Sequence, residues 1–350
     1  MWCDLSWRKK PVDKHHVEQP VLPVGLLLSE AVNLEYGKHF DEIAKRIRVP
    51  LLRYTTSDVQ GKIDRINAAF FSRDLYEGSS LHEPSPSSNA FFRIVDNARQ
   101  LTWLHVCSSG LDLPQYQVAI KRGVRVTTSS GATAQAIAQT TLAAILALSR
   151  GFGHWLPAQT RKDWAPLTGK DLPADIETQR VIIAGAGAIG LTLGRMLLAI
   201  GFKVTIVRRI ATPIPPFVNV IDYTELDRAL EQCNWLVLAL PLNEQTHGLI
   251  DQRRLALMPA HARIVNIGRG ALIDESALTQ ALSQGQIAGA YLDTFTKEPL
   301  TTSSALWTLP NVWITPHNSA ASAGHSQRVV RIFEQEYKRW LNEQRTVFAD

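Results

Sequence analysis

From Val24 onward, apolar residues recur in two registers: short runs rich in β-branched side chains, and longer stretches in which apolar positions return every three or four residues. The short runs at 24–29, 51–54, 68–72, 101–107 and 123–127 predict strands. The stretch 91–98 predicts a short helix, and 134–150 a longer one with Ile137, Thr141, Ala144, Ile145 and Leu148 along one stripe. Residues 77–89, rich in Ser, Pro and Gly, read as a loop. After an interruption at 151–175 the alternation resumes, with strands predicted at 180–184, 203–207, 235–239, 263–267 and 287–292. Helices are predicted between them at 188–200, 223–231, 252–257 and 275–283, and an amphipathic helix at 323–341.

Strands alternating with helices imply parallel βαβ units, so the expected class is α/β with doubly wound parallel sheets. The break at 151–175, where Gly, Pro, Trp, Lys and Asp replace apolar runs, divides the chain. The expected division is an N-terminal extension at 1–20, a substrate domain at 21–150 plus 319–350, and a dinucleotide-binding domain at 151–318. A chain of 350 residues that is 45% hydrophobic supplies enough apolar surface for two cores.

Charge and cysteines narrow the classes. The net +5 is dispersed in short clusters such as Arg8-Lys9-Lys10 and Lys121-Arg122, which argues against a nucleic-acid groove. Cys3, Cys107 and Cys233 are too few for a disulfide framework and stand at no metal-ligand spacing with histidine, so no metal site is expected and a reducing compartment fits. The apolar runs at 142–148 and 236–242 fall short of the roughly 20 residues that span a bilayer. Residues 1–20 carry charges throughout and lack a signal-peptide apolar segment, so the expected location is cytoplasmic, without membrane partners. There is no G-x-S-x-G elbow, no H-E-x-x-H and no phosphate loop with Lys-Ser/Thr.

The positive signal is Gly185-Ala-Gly187-Ala188-Ile189-Gly190, a G-x-G-x-x-G turn placed directly after a predicted strand and at the mouth of a predicted helix. Gly185 permits the tight turn, Gly187 lets backbone approach a pyrophosphate, and Gly190 permits close packing of helix on strand. The helix N-terminus favours negative charge. Eighteen residues beyond Gly190, where an NAD site places a carboxylate on the ribose hydroxyl, the chain has Arg208-Arg209. Guanidinium groups bind a 2′-phosphate that a carboxylate would repel, so NADP(H) is favoured over NAD(H).

Three further segments end predicted strands with chemistry-bearing residues: Arg269 in Asn266-Ile-Gly-Arg-Gly-Ala, Glu298 ahead of Pro299, and His317 in Thr315-Pro-His. Open α/β sheets bind ligands at that edge. Together they supply a cation for a carboxylate, a proton donor for a carbonyl oxygen, and an acid that keeps an imidazole charged, which is what reduction of a 2-oxo acid requires.

With the segment 239–250, these blocks resemble the D-isomer-specific 2-hydroxyacid dehydrogenase family over about residues 21–341. The resemblance implies two Rossmann-like or flavodoxin-like lobes with the active site in the cleft between them, a homodimer, and Arg269, Glu298 and His317 as the catalytic residues. It implies that Asp293 lies near the nicotinamide carboxamide and that Leu240, Pro241, Thr246 and Ile267 line the cofactor cleft. It also implies that the N–H groups of Ser109 and Gly110, in Ser108-Ser109-Gly110-Leu111-Asp112, hold the substrate carboxylate. The chain departs from the family pattern at Arg208, where the family has an acid, at Leu240, where NAD-using members often have histidine, and at Gln139, where many have glutamate. The implied activity is NADPH-dependent reduction of a small 2-oxo acid, glyoxylate and hydroxypyruvate being first trials. The alternative is a dinucleotide-sensing, corepressor-like relative with little turnover.

Overall fold

The structure is a computed structural model that describes residues 23–79 and 83–347; the expected extension at 1–20 lies outside the described residues. The order of elements is β1 (Val24–Leu27), α1 (Glu30–Ile47), β2 (Leu51–Tyr54), β3 (Ile66–Phe71), α2 (Arg73–Tyr76), α3 (Pro86–Asn97), β4 (Trp103–Val106), α4 (Pro114–Lys121) and β5 (Arg125–Thr128). There follow α5 (Ala134–Ser149), α6 (Phe152–Arg161), β6 (Arg180–Ala184), α7 (Ala188–Ala199), β7 (Lys203–Val207), β8 (Asn219–Ile221), α8 (Leu226–Leu230) and β9 (Trp235–Leu238). The chain ends with α9 (Gln252–Leu257), β10 (Arg263–Asn266), α10 (Glu275–Ser283), β11 (Gly289–Leu292), β12 (Val312–Ile314) and α11 (His325–Val347).

Contacts divide the chain into two units. The smaller holds a five-stranded sheet in the order β2-β1-β3-β4-β5, the flavodoxin-like order. Buried Phe40, Phe70, Trp103, Phe333, Tyr337 and Trp340 fill one side of it, and the Phe70 and Phe333 rings stack with centroids 4.1 Å apart. Helix α1 lies outside the pattern read from the sequence because only Val32, Gly37, Phe40, Ile43 and Ala44 of its 18 residues are buried. Helix α3 begins inside the expected loop: Pro86 occupies its first turn, and Ser85 Oγ accepts the Ser88 N–H.

The larger unit holds a seven-stranded parallel sheet in the order β12-β11-β10-β9-β6-β7-β8. Strand order reverses between β6 and β9, the switch point at which open α/β sheets bind dinucleotides. One face is covered by a cluster including Leu226, Leu255, Leu278 and Leu282, the other by Ile137, Ile145, Leu193 and Leu197. Helix α5, expected with the first domain, groups with this unit: its Ile137, Ala138, Ala144 and Ile145 share a core with α7. Its small residues allow that close approach. The boundary by contact therefore falls near Thr128 and again near Val330, rather than at 151 and 319. The segment expected to be an irregular connection contains α6. Strand β8 completes the sheet edge where only turn-like sequence is apparent.

Candidate active site

Every strand of the larger sheet from β6 to β12, apart from edge strand β8, delivers a sequence-predicted site residue from its carboxyl end. Gly185–Gly190 follow β6, Arg208 and Arg209 follow β7, and Leu240 and Pro241 follow β9. Ile267 and Arg269 follow β10, Asp293 and Glu298 follow β11, and His317 follows β12. Parallel register makes this inevitable, because all these strands point the same way and their exits share one edge.

The glycine turn fits a dinucleotide pyrophosphate. Gly185 has φ +122°, and a β-carbon on it would overlap the carbonyl of Ala239 at the β6/β9 crossing. A β-carbon on Gly190 would overlap the carbonyl oxygen of Gly185, so this glycine brings α7 down onto the strand. At Gly187 the situation is opposite: an added β-carbon meets nothing within 4 Å. Space there is open above the N-terminus of α7, which no side chain caps, and the first-turn N–H groups, including those of Ala188 and Ile189, point toward it. Arg208 projects beyond β7 and donates from Nη1 to Thr212 Oγ1 at 2.8 Å, while Arg209 is exposed. Leu240 and Ile267 are buried in the two cores, and Pro241 is exposed. Thr246 Oγ1 donates to the Pro241 carbonyl at 2.8 Å and accepts the Asn243 N–H, which fixes this loop from within.

Glu298 and His317 are brought together. His317 Nδ1 lies 2.7 Å from Glu298 Oε2, and Glu298 Oε1 accepts the Phe295 N–H at 3.0 Å. That bond raises the imidazole above its ordinary value of 6.5; burial opposes it, the charges of Glu298 and Asp293 add to it, and Arg269 opposes it. Burial pushes the Glu298 carboxyl up, but the bonds from His317 and Phe295 and the charges of His317 and Arg269 outweigh it and hold the group below its usual range. With Nδ1 engaged by Glu298, Nε2 is the ring atom left to exchange a proton with a ligand.

The backbone at His317 has φ +50°, a region that non-glycine residues seldom occupy. Asp293 holds it there. The Asp293 carbonyl accepts the His317 N–H at 2.9 Å, and its Oδ1 accepts the N–H groups of Asn318 and Ser319 and the Thr315 hydroxyl. Its Oδ2 accepts the Ser319 hydroxyl at 2.5 Å. Tyr291, whose hydroxyl burial pushes up to about 12, lies 2.9 Å from Thr315 Oγ1. The resemblance puts Asp293 beside the nicotinamide carboxamide; in the structure both carboxylate oxygens are engaged by 315–319.

Arg269 is tied to its strand by Asn266 Nδ2, which donates to the Arg269 carbonyl at 2.9 Å. Gly270 presses so closely on the Phe295–Thr296 backbone that any β-carbon would overlap it, and Glu275 Oε2 accepts the Thr296 N–H at 2.8 Å. The arginine and glutamate segments are thus clamped together, by residues to which sequence reasoning gave no role. The guanidinium donates from Nη1 to the Gly268 carbonyl at 2.8 Å and from Nη2 to Asp112 Oδ2 at 2.6 Å. Asp112 belongs to the turn with Ser109 and Gly110, whose N–H groups, among the described residues, make no hydrogen bond. Ser108 Oγ donates to the Gly110 carbonyl at 2.8 Å, closing that turn.

Residues 142–319 match the family described as "D-isomer specific 2-hydroxyacid dehydrogenase, NAD binding domain". A glyoxylate reductase of Thermofilum pendens is 32% identical over 255 residues, covering 68% of this chain and 71% of the relative. A glyoxylate/hydroxypyruvate reductase B of Pectobacterium atrosepticum is 33% identical over 238 residues, covering 67% and 73%. Among solved structures, the D-isomer specific 2-hydroxyacid dehydrogenase of Xanthobacter autotrophicus Py2, in complex with NADPH and MES, aligns with a TM-score of 0.67 at 23% identity, over 91% of this chain and 95% of the other.

Proposed function

Because the chain belongs to the D-isomer specific 2-hydroxyacid dehydrogenase family, we propose that it reduces a small 2-oxo acid to the D-2-hydroxy acid with NADPH, in the cytoplasm. The observation that carries this reading is the 2.7 Å pair of His317 and Glu298, an imidazole held by a carboxylate at the sheet edge that also bears the glycine turn. A dinucleotide held at the glycine turn would supply the hydride. His317 gives the proton on Nε2 to the substrate's carbonyl oxygen as negative charge develops there. Glu298 raises the imidazole's hold on its proton above the ordinary value, and Asp293 fixes the turn that aims it. Arg269 and the N–H groups of Ser109 and Gly110 hold the substrate carboxylate, so the carbonyl is oriented and polarised before reaction.

For the cofactor, Gly185, Gly187, Ala188, Ile189 and Gly190 would hold the pyrophosphate, with Leu240, Pro241, Thr246 and Ile267 flanking it. The preference for NADP(H) rests on Arg208 and Arg209, which follow β7 where a carboxylate would stand to bind a ribose hydroxyl. Glyoxylate and hydroxypyruvate, substrates in the relatives' names, are the first candidates. A homodimer is proposed through the arm that begins with α6, in which Phe152, Trp155, Leu156 and Trp164 are each exposed; sedimentation measures it. Among the described residues no helix is long and apolar enough to cross a membrane.

The test is a panel of 2-oxo acids with NADPH and with NADH, followed by nicotinamide absorbance. The expected result is oxidation of NADPH by glyoxylate or hydroxypyruvate. Tight NADPH binding without turnover over the whole panel would favour a dinucleotide-sensing protein instead.

A further inference from the structure

The proposed substrate arginine already has an anionic partner. Arg269 Nη2 lies 2.6 Å from Asp112 Oδ2, in a pair that is partly open to solvent on both sides. Asp112 stands two residues beyond Gly110, and the pair lies directly over that glycine: a β-carbon at 110 would fall 2.6 Å from Arg269 Nη2 and would overlap the Asp112 carboxylate. A side chain at 110 would push these two groups aside, so glycine there leaves them room to meet above the turn.

Two features decide what this pair can do. First, the guanidinium is engaged at Nη1 by the Gly268 carbonyl and at Nη2 by Asp112, two bonds that fix both the position and the plane of a long side chain. Its other N–H groups remain, as do the N–H groups of Ser109 and Gly110 on the same turn. Second, Asp112 makes no other hydrogen bond among the described residues, so its carboxylate serves the arginine and not the turn. A guanidinium left loose would lose its rotamer freedom on binding substrate, and that loss would appear as weaker affinity.

We propose that Asp112 is a positioning residue for substrate recognition: it pre-orients Arg269 so that the donors it leaves free, with the Ser109 and Gly110 N–H groups, form one platform for the carboxylate of a 2-oxo acid. This rests on the reductase reading above and adds a residue to it. Asp112 stays paired while substrate is bound, so it acts through Arg269 and touches no reacting atom.

Asp112→Asn and Asp112→Ala are compared with the wild-type protein in NADPH oxidation by glyoxylate. They are compared separately in calorimetric binding of oxamate, which is not reduced, to each protein saturated with NADPH. Asp112→Ala is expected to raise the glyoxylate KM and the oxamate Kd about tenfold while kcat stays within about threefold. Asp112→Asn, whose amide oxygen still accepts from Nη2, recovers most of that loss. NADPH affinity and Tm follow the wild type in both, which separates positioning from a general structural role. Unchanged oxamate affinity in Asp112→Ala would overturn the proposal, and so would tighter binding, which would make Asp112 a competitor of the substrate. If oxamate binding depends on Asp112 but no 2-oxo acid is reduced, the platform stands and the reductase reading falls.

Discussion

Glu298 grips His317 through Nδ1 at 2.7 Å while its second oxygen is held by the Phe295 N–H, so the acid cannot turn away from the imidazole without breaking a backbone bond. The pair is therefore a fixed device for keeping a proton on the ring.

The sign of its pH dependence follows. His317 titrates above its ordinary 6.5 mainly because of the bond to Glu298, so its contribution to stability is full below that value and is lost as pH rises through the raised one. Glu298 titrates below its ordinary 4.5, so its contribution is present above that value and is lost as pH falls through the lowered one. Reduction needs the protonated ring, and kcat/KM should fall on an alkaline limb above pH 6.5. In Glu298→Gln that limb should move to lower pH, as measured by a pH profile of kcat/KM; an unmoved limb would dissociate Glu298 from the titration.

Asp293 is buried, and its carboxylate accepts four hydrogen bonds from 315–319. Asp293→Asn replaces one accepting oxygen by a donor that faces the Ser319 hydroxyl, and should destabilise the fold by about 1–3 kcal/mol. It should also lower kcat, because the left-handed turn at His317 loses its clamp. Urea denaturation measures the first effect and steady-state kinetics the second.

The second and third glycines of the turn separate folding from binding. Gly190→Ala puts a methyl on the Gly185 carbonyl and should cost about 1–3 kcal/mol of stability. Gly187→Ala meets no protein atom, so its Tm should match the wild type while the NADPH Kd rises about tenfold or more, read by fluorescence titration.

The larger unit was the more legible in sequence. β6, β7, α9 and α10 fall at their expected bounds because each is a short periodic run between strong signals, such as Asp251 and Asp274, whose side chains cap the helices. Helix α1 was not legible, since its exposed face is polar and its buried stripe sparse. In the site, strand-end residues could be named from their spacing, but their partners could not. Asp293 to Ser319, Glu275 to Thr296 and Arg269 to Asp112 are contacts between segments far apart in the chain, and no local periodicity carries them.

Cofactor choice is testable without disturbing the proton-transfer pair. Arg208 extends from β7 and is anchored by Thr212, remote in sequence from the reacting segments. Arg208→Asp should weaken NADPH about tenfold or more, with NADH little affected and the alkaline limb unmoved. Competitive binding of the two reduced cofactors measures the change.

The most direct test of the account is a single-turnover measurement, in which excess protein is loaded with NADPH, mixed with glyoxylate and followed by loss of nicotinamide absorbance, for the wild type and His317→Asn. Hydride transfer is expected in the wild type, with a rate lower by about 10² to 10⁴ in the variant and NADPH affinity retained. Equal rates in the two proteins would contradict it, because the 2.7 Å pair would then have no part in the chemistry.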